Sequence, residues 1–425
     1  MRRRRSPHFD SSRERTPRSK PSATANFGAG IIAGASDNDP TTVATLAVIG
    51  STTTYELGWL TLLVIPMLGV VQAVAAQVGT VSKKGLEDCV RSAYGRGWAI
   101  VALAALLIVN VLTLAADLEG GGAAMQLLTN VDYRWWLAPL GALTVIVLVF
   151  GNYRSIERVL RYLALLFLTY VGAAFLAHPD WSAVFRGSFI PHFDLRPATV
   201  SGALALLGTT LTAYAYVWET IELSEEKPKL RRLGLVQVDA ALGIVVAGLT
   251  FWFILVATGA TLGTHHHQVQ TAQEAAQALA PVAGKYASLV FAIGLLGSAL
   301  VAIPVIAGTS AYVAAEMFGW RHSLDAKFAR ARRFYLTLSG CVLVSVVIGL
   351  AGVPPIKLLF FSGIAGGIAT PFTMALMLLV GRNRSIMHQL RIPAWLAVAG
   401  WCVTLIVTSA TVIYLAQTLT GHGSS

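Results

Sequence analysis

Long apolar runs, parted by short polar and basic segments, repeat from about Phe27 to the end of the chain. They show neither the one-sided stripe of a surface helix nor the alternation of a half-buried strand, so they read as membrane-spanning helices. Eleven spans are predicted. The first is an interrupted run from about Phe27 to Ile49. Then come Glu56–Val81, Trp98–Leu128, Trp135–Phe150 and Ile156–Ala177. A polar connector with His178, Pro179, Asp180, Pro191, His192 and Pro197 follows. Spans 6 to 11 are Ser201–Leu223, Val236–Leu262, Tyr286–Phe318, Phe334–Leu350, Ile356–Val380 and Pro393–Leu419. With tilt allowed, each can cross a hydrocarbon core of roughly 30 Å.

Composition agrees, at 55% hydrophobic against 12% charged residues. A net charge of +11 would suit a nucleic-acid binder, but the basic residues fall in short clusters between apolar runs. With the N-terminus in the cytoplasm, 27 of the 32 lysines and arginines lie on the cytoplasmic side. Arg134, Arg186, Arg196, Lys285 and Lys357 lie on the other. That alternation is the positive-inside pattern of a protein with its C-terminus outside, in the cell membrane. Residues 1–25 are basic and rich in Ser and Pro, with no apolar segment after the arginines. They read as a disordered cytoplasmic tail against anionic lipid, not a signal peptide. Cys89, Cys341 and Cys402 are too scattered for a metal site or a disulfide framework. His265–His267 reads as a polar connector rather than a metal cluster.

Span 1 contains A-G-A-S-D-N-D-P-T-T-V-A-T, Ala33 to Thr45. Pro40 has no amide hydrogen and disfavours the α conformation at Asp39, so the helix must open there. Opened backbone survives at that depth only when buried in protein or lining a wet cavity, and an ionisable residue beside it marks a functional site. The alternative is a helix that merely ends at Asp37, leaving Thr41 to Ile49 as a purposeless stub. Asp37, Asn38, Asp39, Thr41 and Thr42 are hard oxygen donors, suited to Mg²⁺, Mn²⁺ or Ca²⁺. Asp39, beside the break, is the leading ligand and Asp37 an auxiliary.

If spans 1–5 and 6–10 are repeats, the odd number in each makes them inverted, and span 6 should be broken as well. The halves would be residues 26–197 and 198–382, with 383–425 supplying span 11. Span 6 is centred on G-T-T-L-T-A-Y, without a proline. Thr209, Thr210, Thr212 and Tyr214 offer hydroxyls there, although a Thr in a membrane helix equally often bonds its own i−4 carbonyl. Glu219 needs water or a partner in the second half of that span. Asp117 and Glu119, within L-A-A-D-L-E-G-G-G on span 3, suit a proton relay or an ion pair. Small residues and Pro371 on span 10 suggest close, kinked packing.

These residues carry a resemblance to the Nramp family of divalent-metal transporters, over nearly all of residues 27–417. Besides the span 1 and span 3 motifs, it rests on G-N-Y-R-S-I-E-R-V-L-R-Y, G-T-T-L-T-A-Y, F-A-I-G-L-L-G-S-A-L-V-A-I-P-V-I-A-G and T-P-F. The resemblance implies an all-α membrane fold of the leucine-transporter type, with inverted five-helix repeats and broken helices 1 and 6. The site motifs depart from the family. Its D-P-G-N is D-P-T-T here, so Asp39 keeps the metal-binding Asp and Thr42 stands for the Asn. Its M-P-H is T-A-Y: Thr212 replaces the metal-ligating Met, Ala213 the Pro and Tyr214 the His. The second helix 6 His falls at Glu219. Asp117 keeps the span 3 Asp, Gly120 holds the Glu position with Glu119 one residue early, and Gly363 replaces the span 10 Gln. Such losses resemble the Nramp-related magnesium transporters.

The expected function is therefore import of Mg²⁺ or Mn²⁺ by alternating access, without tight proton coupling and without a cofactor. The metal ligands would be Asp39, Thr42, Thr212 and the Thr209 carbonyl, with Asp37 auxiliary. Asp117, Glu119, Glu219 and Tyr214 would form a polar or proton pathway. Proton-coupled Mn²⁺/Fe²⁺ import is the alternative, and an organic cation or a passive channel stays open. An intramembrane enzyme with an Asp39–Asp117 dyad is the rival class, but neither G-x-G-D nor H-E-x-x-H is present.

Overall fold

The computed structural model describes residues 38–150, 169–192, 194–226, 233–265, 269–324, 326 and 328–420. Among them every regular element is helical. The main helices are α1 (Pro40–Thr53), α2 (Gly58–Ser82), α3 (Leu86–Tyr94), α4 (Arg96–Thr129), α5 (Arg134–Phe150), α6 (Thr169–Leu176) and α7 (Trp181–Phe189). They continue with α8 (Pro197–Thr210), α9 (Ala213–Glu226), α10 (Leu233–Thr261), α11 (Ala287–Phe318), α12 (Arg332–Gly349), α13 (Pro355–Arg382) and α14 (Ala394–Leu419). Eight described helices are long and apolar enough to cross a membrane, counting α8 with α9 as one, and α5 is a shorter apolar helix. Predicted spans 1 and 5 lie partly outside the described residues; α1 and α6 are their described parts. The chain is a multi-pass membrane protein.

The hub is α1, whose first eight residues are all buried. It packs against α4, α8, α10, α11 and α13. Small residues let these backbones meet. A β-carbon at Gly50 would overlap the Thr258 hydroxyl of α10, and one at Gly208 of α8 would overlap the Gly363 carbonyl and Gly367 amide of α13. One at Gly120 of α4 would lie 2.7 Å from the Pro40 β-carbon. Gly120, where the resemblance puts a Glu, thus faces the first turn of α1 with no room for a side chain.

Two stretches read as connectors are helical. Leu86, Cys89 and Val90 of α3 are buried while Arg91 and Tyr94 are not, so this short helix follows a helical period that span-length runs conceal. The Glu316 carboxylate at the end of α11 accepts from the Asp88 amide at the start of α3, 3.4 Å away. Arg91 Nη1 donates to the Met317 carbonyl at 2.8 Å. Each helix thereby satisfies an end of the other. In the connector of residues 178–197, Asp180 caps α7 by accepting from the Ser182 and Ala183 amides.

Span 6 is broken as expected. Its two halves, α8 and α9, are separated by Leu211 and Thr212. No proline makes this break. The freed Leu211 carbonyl accepts from Thr370 Oγ1 of α13 at 3.1 Å, so a neighbouring helix replaces the lost backbone bond. Farther along α9, Glu225 accepts from the Tyr312 hydroxyl of α11 at 2.9 Å.

Candidate functional site

The start of α1 meets the break in span 6. Asp39 has extended backbone (φ −69°, ψ 164°) and is the N-cap of α1, with Pro40 as the first helical residue. Both roles follow from sequence: the residue before a proline is extended, a proline is tolerated where the helix needs no amide, and Asp is a favoured cap. Asp39 Oδ1 accepts from the Thr42 amide at 2.7 Å. Its Oδ2 accepts from the Tyr214 hydroxyl, in the first turn of α9, at 2.8 Å. Asp39 is 2% exposed and Tyr214 5% exposed, so the pair is withdrawn from solvent.

Beside this contact, the hydroxyls of Thr42 and Thr209 are 2.9 Å apart. Thr212, in the gap between the half-helices, is buried. Thr210 bonds its own i−4 carbonyl, Leu206 O, at 2.6 Å and serves the helix rather than the site. The C-terminal carbonyl pole of α8 ends at this place, which favours a cation, and the amide pole of α1 begins there, which does not. Asp39 supplies the negative charge that offsets the second.

Asp117 lies on the other flank of α1. Its Oδ1 accepts from Thr41 Oγ1 at 2.8 Å, while Oδ2 is buried without a hydrogen-bond partner. Thr41 Oγ1 is also 3.4 Å from Ser362 Oγ of α13. Asp39, Thr42, Thr209, Tyr214 and Asp117 are therefore assembled around the first turn of α1. Glu119 is set apart: a β-carbon on Gly349 of α12 would be 3.5 Å from Glu119 Oε1, so the acid faces α12. Two residues on from Asp117, it leaves the helix about 200° round the axis. Glu219 is half-buried farther along α9. Asp37 lies outside the described residues.

Three hydroxyls at the site escaped the sequence reading. Ser298 of α11 donates to the Asn38 carbonyl in the span 1 opening, Thr370 donates to Leu211 O, and Ser362 stands beside Thr41. Nothing in the sequence distinguishes them from the many Ser and Thr that bond their own helix. Gly363 sits where the resemblance puts a Gln, and a β-carbon there would lie 3.0 Å from the Ala205 carbonyl and 3.4 Å from Thr45 Oγ1. Among the described residues no Lys, Arg or His pairs with Asp39 or Asp117. Nor do three or more His, Cys, Asp or Glu cluster as for a metal site. Among the described residues the arrangement is a single carboxylate ringed by neutral oxygens, with a second acid one side chain away.

Residues 30–417 match the family described as natural resistance-associated macrophage protein-like, Nramp. The divalent metal cation transporter MntH of Deinococcus radiodurans is 27% identical over 90% of this chain and 87% of its own length. The protein of the same name from Chromohalobacter salexigens is 25% identical, over 94% and 93% respectively. These relatives are transporters rather than enzymes. A solved manganese transporter from Eremococcus coleocola superposes with a TM-score of 0.70 at 17% identity, covering 92% of this chain and 86% of that one. The fold is thus the leucine-transporter type with a broken span 6, and the chain belongs to the Nramp family.

Proposed function

We propose that the protein carries a divalent metal cation across the membrane by alternating access, with Mg²⁺ and Mn²⁺ as cargo. The carrying observation is the buried Asp39 where two broken helices meet, with a second buried carboxylate, Asp117, nearby. Among the described residues no basic side chain neutralises either acid. Burying such charge is costly unless a cation or a proton accompanies it. The relatives named as divalent metal cation transporters support the cation.

The choice of ion rests on the donors. Thr212 and Tyr214 stand where the resemblance puts a thioether and an imidazole. Asp39, Thr42, Thr212 and the Thr209 carbonyl are all hard oxygen ligands, with Asp37 a further carboxylate in the same sequence run. One carboxylate among neutral oxygens suits an ion that keeps part of its water shell, as Mg²⁺ does. In this reading the N-terminus is cytoplasmic, the C-terminus is outside, and residues 26–197 and 198–382 are the inverted repeats, in the cell membrane. The lipid bilayer and the ion are the partners, and nucleic acid is not.

A second reading, proton-coupled import of Mn²⁺ or Fe²⁺, is favoured by Asp117, which reaches α1 through Thr41 and keeps one oxygen unbonded. Calorimetric titration of purified protein with Mg²⁺, Mn²⁺ and Cd²⁺ tests the main reading. Saturable heats with Mg²⁺ and Mn²⁺, and no strong preference for Cd²⁺, are expected. Binding of Cd²⁺ alone would overturn the choice of hard cargo.

A further inference from the structure

Asp39 receives one hydrogen bond on each oxygen, from two different helices. The Thr42 amide reaches Oδ1 from within α1, and the Tyr214 hydroxyl reaches Oδ2 from α9. The first is the ordinary bond of a helix cap and would form with any Asp at this position. The second exists only because span 6 opens at Leu211 and Thr212, which brings the first turn of α9 to the carboxylate. Tyr214 is buried, so its hydroxyl does not trade this acceptor freely for bulk water.

We infer that Tyr214 sets the size selectivity of the cation site by tying Asp39 Oδ2 to α9 while the Thr42 amide ties Oδ1 to α1, so that the carboxylate, fixed from both sides, cannot turn both oxygens towards one ion. This inference rests on the transport reading above and deepens it. A carboxylate that offers both oxygens suits Ca²⁺, which takes six to eight oxygen ligands at roughly 2.3–2.6 Å. Mg²⁺ requires near-octahedral oxygens at roughly 2.0–2.1 Å and keeps several waters, so one carboxylate oxygen serves it well. The phenol O–H thus removes the geometry that would reward the larger ion. It does so without adding charge, because the group that donates to Oδ2 is a neutral hydroxyl. Tyr214 is a positioning residue here, acting through Asp39.

The test is competition binding of Ca²⁺ against Mg²⁺ to the purified full-length protein, for wild type and Tyr214→Phe. Losing the hydroxyl frees Oδ2, and the Ca²⁺/Mg²⁺ affinity ratio should rise about tenfold, the worth of one hydrogen bond to a charged group. Replacing Tyr214 with 3-fluorotyrosine, nearly isosteric and a stronger donor, should lower the same ratio. The second variant preserves packing if Tyr214→Phe folds poorly. A ratio that fails to move in opposite directions in the two variants overturns the inference and leaves the transport reading standing. A wild-type protein that binds neither ion overturns both.

Discussion

The hydroxyls of Thr42 and Thr209 lie 2.9 Å apart and join the opened start of α1 to the end of α8. Thr42 belongs to the turn that Asp39 caps. Thr209 is one residue from the end of the first half of span 6. The contact joins the start of α1 to the break in span 6, and it puts neutral oxygens beside Asp39, the carboxylate that among the described residues links α1 and α9.

Selectivity should follow the hard donors. Thr212 lies buried between α8 and α9, with no sulfur supplied by the neighbouring Leu211 or Ala213. Thr212→Met introduces a soft thioether, which rewards Cd²⁺ over Mg²⁺. Competition binding should show the Cd²⁺/Mg²⁺ ratio rising in this variant while Mg²⁺ flux falls. An unchanged ratio would mean that Thr212 does not face the ion.

A pH effect is expected away from the site. Glu87 of α3 is wholly buried, and neither carboxylate oxygen has a hydrogen-bond partner among the described residues. Burial first, then the neighbouring Glu316 and Asp88 carboxylates, push its pKa from 4.5 up to about 9. The folded protein therefore keeps a proton that the unfolded chain releases above its own lower pKa. The stability tied to that proton is complete below about 4.5 and lost as pH rises towards about 9. Glu87→Gln should match wild type in thermal midpoint at pH 4.5 and exceed it increasingly towards pH 9 in detergent. A difference that is flat with pH would show that Glu87 does not hold its proton.

Metal movement should not be tightly coupled to protons. The resemblance places histidines where this chain has Tyr214 and Glu219, so the imidazoles that would carry a proton in the family are absent here. Glu119 faces α12 instead of joining Asp117 beside α1. A divalent ion can enter down the membrane potential, at roughly 2.3 kcal/mol per charge per 100 mV, without proton help. Proteoliposomes with an internal pH dye, a metal gradient and a clamped potential should stay at constant pH during uptake. Acidification that tracks Mg²⁺ or Mn²⁺ concentration would restore the proton-coupled reading.

Much of this architecture is written in the sequence, for physical reasons that also mark where legibility stops. A proline after an acid inside an apolar run dictates an opening, so the Asp39 cap is readable residue by residue. The span 6 break has no such mark: it follows from symmetry, and is held by Thr370 of a distant helix rather than by its own residues. The helices α3 and α7 were hidden because nine residues each are too few to register against the much longer apolar spans. Helical geometry separates Asp117 from Glu119, since residues two apart face different ways, although both were expected on one pathway. What each acid faces depends on α1 and α12, which no local pattern encodes. The hydroxyls of Ser298 and Ser362 were invisible for the same reason.

The measurement nearest the central claim compares wild type with Asp39→Asn for Mg²⁺ and Mn²⁺ uptake into proteoliposomes, alongside calorimetric binding and thermal unfolding of the same preparations. The amide keeps the size of the carboxylate: its one oxygen can accept from the Thr42 amide, and its NH2 can donate to the Tyr214 hydroxyl, which accepts as well as donates, so the fold should survive. Without the charge, saturable uptake and binding of both ions should be lost. Tight binding and uptake retained by a well-folded Asp39→Asn protein would contradict the account and move the site to Asp37 or Asp117.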